Sequence, residues 1–258
     1  MKTRHGIAWY DEGSGPAVLL IMGLAYPATA WFRQVPVLAR HHRVLTLDNR
    51  GAGETGLVPG APYTVDVMTQ DCLDVLDAAG VEKAHVVGIS MGGLMAAELG
   101  LSHPGRVQSL TLMSTHPGTA HGVWPQEMQD FMAARAGMPA EERGEFSIPF
   151  NYSPATPRDL IEEDWRARAA GTAGPEGYAA QAGTAFWSGW DRFPSMTVPT
   201  QVVHGAQDRL VVPENGELIA SRVPDAKLRL IEGANHIVTT DQAEVVNAVL
   251  LDWFAGHP

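Results

Sequence analysis

The stretch Ala84-His85-Val86-Val87-Gly88-Ile89-Ser90-Met91-Gly92-Gly93 decides how this chain is read. An apolar run of strand length meets G-x-S-x-G and passes directly into small residues that can open a helix. Strand, sharp turn and helix in that order have the form of a nucleophile elbow, with Ser90 on a strained turn. Glycine suits positions 88 and 92, because a side chain at either place would collide with neighbouring backbone. The helix that follows points its N-terminus at Ser90, so the backbone N–H of Met91 can donate to an oxyanion.

Working outward, short apolar runs recur at 44–47, 107–112, 202–204 and 227–231, each read as a strand buried on both faces. Segments at 30–40, 64–79, 91–103, 214–223 and 242–254 carry apolar residues at three- and four-residue spacing and read as covering helices. Gly80 and Pro104-Gly105 supply stop signals after two of them. Strand–helix alternation of this kind predicts a three-layer α/β/α sandwich around a mostly parallel sheet. The opening runs Ile7–Tyr10 and Val18–Met22 flank Asp11-Glu12-Gly13-Ser14-Gly15, which suits a tight reversal between antiparallel strands.

The rhythm breaks between about His116 and Pro194, where no strand is evident and helical patches lie at Gln126–Arg135 and Asp159–Ala170. Residues 1–115 and 195–258 are therefore expected to form the core, and 116–194 a helical cap insertion. Trp124, Trp165, Trp187 and Trp190 lie in the insertion with Phe131, Phe146, Phe150, Tyr152 and Tyr178. These aromatics either pack the insertion's own small core or wall a pocket. Trp124, Phe150, Trp187 and Trp190 are the candidates for substrate contact.

The 258 residues are 45% hydrophobic and 18% charged, enough apolar surface for one α/β domain and too little charge for a disordered chain. Net charge is −11 with no Lys/Arg-rich run, which speaks against a nucleic-acid partner. The longest apolar stretch, Ala17–Ala25, is well short of the ~20 residues a membrane-spanning helix needs. The start Met1-Lys2-Thr3-Arg4-His5-Gly6 leads into no signal-peptide-like run, and the single Cys72 cannot form an internal disulfide. A reducing, cytoplasmic setting is the expectation.

A serine hydroxyl needs a base and an acid that orients the base. His236, in Glu232-Gly233-Ala234-Asn235-His236, follows the last strand at the C-terminal edge of the expected sheet. Asp208 closes Val202-Val203-His204-Gly205-Ala206-Gln207-Asp208 at the same edge. The rival loop Ser114-Thr115-His116-Pro117 offers no carboxylate, and Asp225 precedes its strand and would lie at the opposite end. His41, His42 and His103 sit at element ends and His85 and His204 inside strands, whereas His116 and His121 begin the insertion, where pocket and surface positions are both open. No H-E-x-x-H, G-x-G-x-x-G or G-x-x-x-x-G-K-[ST] is present, so neither metal nor nucleotide cofactor is expected.

The order Ser90, Asp208, His236, together with the elbow, resembles the α/β-hydrolase fold family over essentially the whole chain. That resemblance implies a second oxyanion donor, the N–H of the residue after the first glycine behind Leu19-Leu20-Ile21-Met22, which is Leu24 here. Met22-Gly23 stands where the family often has His-Gly, and Asn235 where it frequently has Gly. Leu47-Asp48-Asn49-Arg50-Gly51-Ala52-Gly53-Glu54-Thr55 is similar to the family's D-x-R-G-x-G-x-S segment and is expected to be structural, with an Asp48–Arg50 ion pair. The Ser-Met-Gly-Gly elbow and short cap look most like the 3-oxoadipate enol-lactonase and small-carboxylesterase branch. The resemblance thus implies a serine hydrolase acting on a small, largely apolar ester or lactone. A thioesterase, a C–C bond hydrolase or a hydrolase-like receptor is the alternative. Oligomeric state is not encoded in any motif.

Overall fold

The computed structural model describes residues 1–60, 62–139, 141–169, 171 and 174–258. Its strands are β1 Trp9–Gly13, β2 Ala17–Ile21, β3 Arg43–Leu47, β4 Ala84–Ile89, β5 Val107–Met113, β6 Thr200–Gly205 and β7 Lys227–Ile231. They form one sheet in the order β1-β3-β2-β4-β5-β6-β7. β1 is antiparallel to β3 and every other neighbouring pair is parallel.

Alternation along each central strand separates two cores. Leu19 and Ile21 of β2, Val86 of β4, Leu110 and Leu112 of β5 and Val202 of β6 pack on one face. Val18 and Leu20, Val87 and Ile89, Met113, and Val203 pack on the other. The first face is covered by α2 Val65–Ala78, α3 Met91–Ser102 and α8 Glu214–Arg222, and the second by α1 Val35–Leu38 and α10 Ala243–Ala255. A period of two with helices on both sides makes the three layers. No helix among the described residues is long and apolar enough to cross a membrane.

Three expectations need correction. Asp11-Glu12-Gly13 belongs to β1 and is not a hairpin turn; Trp9 lies opposite Leu47 and Gly13 opposite Arg43. Buried β2 takes β3 and β4 as its neighbours, so β1 finds its partner in β3, where Arg43 pairs with Asp11 at 2.7 Å. The expected helix over 30–40 is a 3-10 turn, Ala28–Trp31, followed by the single-turn α1, because Pro36 lacks the N–H that a continuous helix would use. β7 is not buried on both faces: it is the sheet edge, and Leu228 and Leu230 remain 36% and 42% exposed.

Between β5 and β6 lie α4 Gln126–Ala136, α5 Arg143–Asn151, α6 Arg158–Ala169 and α7 Gly174–Gln181. Ala170, the last residue of the expected Asp159–Ala170 patch, is outside the described residues. An antiparallel bridge between Gly118 and Ser188 ties the two ends of this insertion together. Four short helical segments remain among the described residues: 3-10 turns at Pro104–Arg106, Ala182–Phe186 and Phe193–Ser195, and α9 Val238–Asp241 before α10.

Candidate active site

Three side chains from the C-terminal ends of different strands meet beneath the insertion. Ser90 follows β4 with φ 55° and ψ −119°, a backbone conformation that few residues other than glycine adopt. Close packing makes this turn possible: a Cβ on Gly88 would lie 2.1 Å from the Gly92 carbonyl oxygen, and one on Gly92 2.2 Å from that of Ile21. The Ser90 N–H donates to the Met113 carbonyl at 2.9 Å, and the Ser90 carbonyl accepts from the Thr115 hydroxyl at 2.8 Å. These bonds hold the strained turn between β4 and the loop after β5.

His236 Nδ1 lies 2.9 Å from Asp208 Oδ2, and His236 Nε2 lies 3.2 Å from Ser90 Oγ. A carboxylate can only accept, so Nδ1 carries the hydrogen and bare Nε2 faces the serine hydroxyl, which donates to it. Asp208 is fully buried, and its second oxygen accepts from the N–H groups of Leu210 and Val211, both at 2.9 Å. Burial pushes the Asp208 pKa up, but His236 and hydrogen bonds from His204 and His236 outweigh it and hold the carboxyl below its usual range.

Residues 16–242 match the model of the alpha/beta hydrolase fold family. The chain belongs to this family. Among relatives of this hydrolase-fold protein, the candidate carbamate hydrolase RutD from Azorhizobium caulinodans is 31% identical, the match covering 100% of this chain and 99% of that one. The 3-oxoadipate enol-lactonase 1 of Acinetobacter baylyi is 28% identical, covering 90% of this chain and 85% of its own. A solved thermophilic esterase from Thermogutta terrifontis superposes with a TM-score of 0.82 at 26% identity, covering 98% of this chain and 94% of that structure. The family and these names support a hydrolase.

In this α/β-hydrolase the loop Met22–Tyr26 packs against the serine, and a Cβ on Gly23 would lie 3.2 Å from Ser90 Cβ. Leu24 and Met91, the two expected oxyanion donors, both line the cavity above Ser90. The loop is pinned from two sides. Asn49 Nδ2 donates to the Met22 carbonyl at 2.9 Å, and Gln181 Oε1 accepts from the Ala25 N–H at 2.6 Å. Ala25 sits at φ 65°, so the Gln181 bond holds a residue that would otherwise relax. Gln181 Nε2 also donates to the Arg50 carbonyl at 2.8 Å, which joins α7 to the core.

The expected Asp48–Arg50 pair is not formed. Arg50 donates from Nε and Nη2 to the two Asp71 oxygens, each at 2.7 Å, while Asp48 accepts from the Tyr10 hydroxyl and the Ala28 and Glu54 N–H groups. The chain wraps around the Asp48 carboxylate so closely that a Cβ on Gly53 would lie 2.1 Å from its Oδ2, which leaves Arg50 to reach α2. Arg50 does not line the cavity.

The cavity measures about 380 Å³ and takes in Ser90, His236, His116, Trp124, Phe131 and Leu210 among its lining residues. Its aromatic content corrects the sequence reading, because of the four candidates only Trp124 lines it. Phe150 stacks behind Phe131 with ring centroids 3.9 Å apart. Trp187 packs against the sheet-facing core and donates to Glu98 at 2.7 Å, and Trp190 lies against His121 and Arg222. None of these three lines the cavity. Phe131 and Tyr178 line it instead. His116 faces it as a neutral ring, since burial and then nearby His236 lower its pKa to about 4.

Two polar residues that sequence reasoning did not assign to the site support it. His204 is fully buried, with Nε2 2.6 Å from the Val211 carbonyl and 3.3 Å from Asp208 Oδ2, so it braces both the acid and the strand-end loop that holds it. Its place immediately before Gly205 at the end of β6 was the available signal. Asn235 accepts from the N–H groups of His236 and Arg209 and donates to the carbonyls of Pro149 and Tyr152, which fastens the histidine loop to α5. Among the described residues no group of three or more His, Cys, Asp or Glu side chains forms a metal-ligand set.

Proposed function

We propose that this protein is a serine hydrolase that cleaves a small, largely apolar carboxylic ester or lactone through an acyl-enzyme, with residues 116–194 acting as its cap. The observation that carries the reading is the relay Ser90–His236–Asp208, at 3.2 and 2.9 Å, opening on a single cavity. His236 Nε2 takes the hydroxyl proton as Ser90 Oγ attacks the carbonyl carbon. Asp208 stabilises the imidazolium, and the N–H groups of Leu24 and Met91 receive the oxyanion. The imidazolium then protonates the leaving alkoxide. Water, deprotonated by His236, attacks the acyl-serine, and Ser90 recovers its proton as the acid leaves.

The apolar wall of Leu24, Met91, Leu94, Met128, Phe131 and Ile237 favours a substrate with a hydrocarbon body. The relatives named as an enol-lactonase and an esterase support an activated acyl–oxygen bond as the target. Incubation with a fluorophosphonate, followed by mass spectrometry of the adduct, tests the scheme directly. Label at Ser90, with p-nitrophenyl acetate turnover lost in Ser90→Ala, is the expected result. An unlabelled Ser90 in folded protein would reject it.

A further inference from the structure

Two guanidinium groups line the same cavity as Ser90 and His236, and neither forms a salt bridge within 4.0 Å of a carboxylate among the described residues; Asp164 acts on Arg168 from beyond that distance. Arg135 donates from Nε to the Ser147 hydroxyl at 3.0 Å and lies over the Tyr178 ring, its Nη1 3.5 Å from that phenol. Arg168, half-buried on α6, lies over the Tyr26 ring at 3.7 Å from the centroid. The positions outside the described residues, Ala61, Ala140, Ala170, Thr172 and Ala173, carry no acidic side chain.

Tyr26 is the point of the wall that Arg168 covers. It ends the loop Met22–Tyr26 beside the serine, it lines the cavity, and its buried hydroxyl finds no well-formed hydrogen bond among the described residues. Arg168 covers the Tyr26 ring and Arg135 the Tyr178 ring at 5.6 Å, and all four side chains line this one cavity. Asp164 is the only acidic lining residue among the described residues. It lies one helical turn before Arg168, yet its oxygens are occupied by the Tyr152 hydroxyl and, at 3.2 Å, the Thr240 hydroxyl. Burial favours its neutral form, raising its pKa against those bonds and Arg168.

A cation beside apolar surface without a close ion pair is costly, and a ligand that supplies a carboxylate at contact distance relieves that cost. The contrast with the rest of the molecule sharpens the point. The chain carries a net charge of −11, which repels anions at long range, so a site that accepts one must hold positive charge locally.

We infer that the substrate carries a carboxylate, seated against Arg168, Arg135 and Tyr26 at the cap side of the cavity while its scissile carbonyl lies over Ser90. The hydrocarbon body then spans the apolar wall between them. This deepens the proposed hydrolase reading, which it needs only for turnover; the binding site stands on the arginines.

The test compares p-nitrophenyl hydrogen glutarate with its methyl-capped diester, and the butyrate ester of 4-hydroxybutyrate with the matching methyl ester. The first pair places the carboxylate on the acyl part, the second on the leaving alcohol. Calorimetric titration into Ser90→Ala protein reads binding without catalysis, and kcat/KM of the wild type reads turnover. One of the two anions is expected to bind at least about tenfold tighter than its capped form, with that ratio falling toward one in Arg168→Met and partly recovered in Arg168→Lys. Capped esters binding as tightly as both anions would overturn the inference, as would an anion preference untouched by Arg168→Met and Arg135→Met. Fluorophosphonate labelling of Ser90 in each variant reports folding and the hydrolase reading separately. Lost labelling in the wild type with retained anion binding would sink that reading and leave this one standing.

Discussion

The floor and the roof of the cavity are built on different principles. The floor is made of strand ends: Ser90, Asp208 and His236 leave β4, β6 and β7 within a parallel sheet, and backbone hydrogen bonds such as Ser90 N–H to Met113 fix their separation. The roof is made of short helices whose side chains pack on one another, as Phe146, Phe131 and Phe150 do in a single stack. The floor dictates which bond-making atoms meet. The roof dictates what may lie over them, and it is secured to the floor by a few polar fastenings, chiefly Gln181 and Asn235.

If the floor carries the chemistry, the largest loss comes from disturbing the histidine tautomer. Asp208→Asn is expected to lower kcat by on the order of 10³–10⁴-fold with KM little changed, because an amide nitrogen can present a hydrogen to Nδ1 and favour the wrong ring form. Steady-state kinetics check this, and a loss below tenfold would mean the acid lies elsewhere.

Acid should weaken floor and core together. Burial, first of all, lowers both His85 and His116 to about 4, against an unfolded value of about 6.5. Between those pH values the unfolded chain binds more protons, so stability is complete above about pH 6.5 and is lost as pH falls toward 4. The loss is about 1.4 kcal/mol for each unit by which a group's two values differ, on the order of a few kcal/mol for each of the two histidines. Thermal melts across this range should show a falling Tm, with a shallower slope in His85→Gln. A flat profile would contradict the assignment.

Gln181→Ala cuts a fastening between roof and floor. It strands the Ala25 N–H and the Arg50 carbonyl and is expected to cost about 1–3 kcal/mol. Chemical denaturation measures the cost, and KM should rise because the loop Met22–Tyr26, which packs against Ser90, loosens. His204→Gln tests support for the acid. An expected fall in kcat on the order of tenfold, with a displaced pH–rate profile and unchanged KM, would separate positioning from mere stability. The smallest contrast lies within the roof: Trp124→Phe should change KM several-fold, whereas Trp187→Phe, outside the cavity, should leave KM within about twofold while lowering Tm by breaking the Glu98 bond. Equal KM effects would erase the distinction drawn between those two tryptophans.

Much of the floor was legible because it depends on local rules. Gly88 and Gly92 are demanded by backbone contacts near 2 Å, and strand ends followed by Gly-x-x-Asp or Asn-His mark places where a buried strand must turn at the same edge of a parallel sheet. Partner choice was less legible. Arg50 pairs with Asp71, 21 residues away, and not with Asp48 two residues away, because the loop encloses the nearer carboxylate. In the roof, aromatic composition alone could not show that Trp187 turns toward Glu98 and Trp190 toward His121 and Arg222.

By itself the sequence determined the alternation of strand and helix, the elbow at Ser90 and the order of serine, aspartate and histidine, since each follows from residue periodicity and backbone sterics within a few positions. Only the tertiary structure decided that β1 pairs with β3, that β7 is an exposed edge, that His204 braces Asp208 and that Arg135 and Arg168 line one cavity, over Tyr178 and Tyr26. Those outcomes depend on which surfaces distant segments bury against one another, and side-chain partners across such distances are settled by packing and charge compensation in space, not by spacing along the chain.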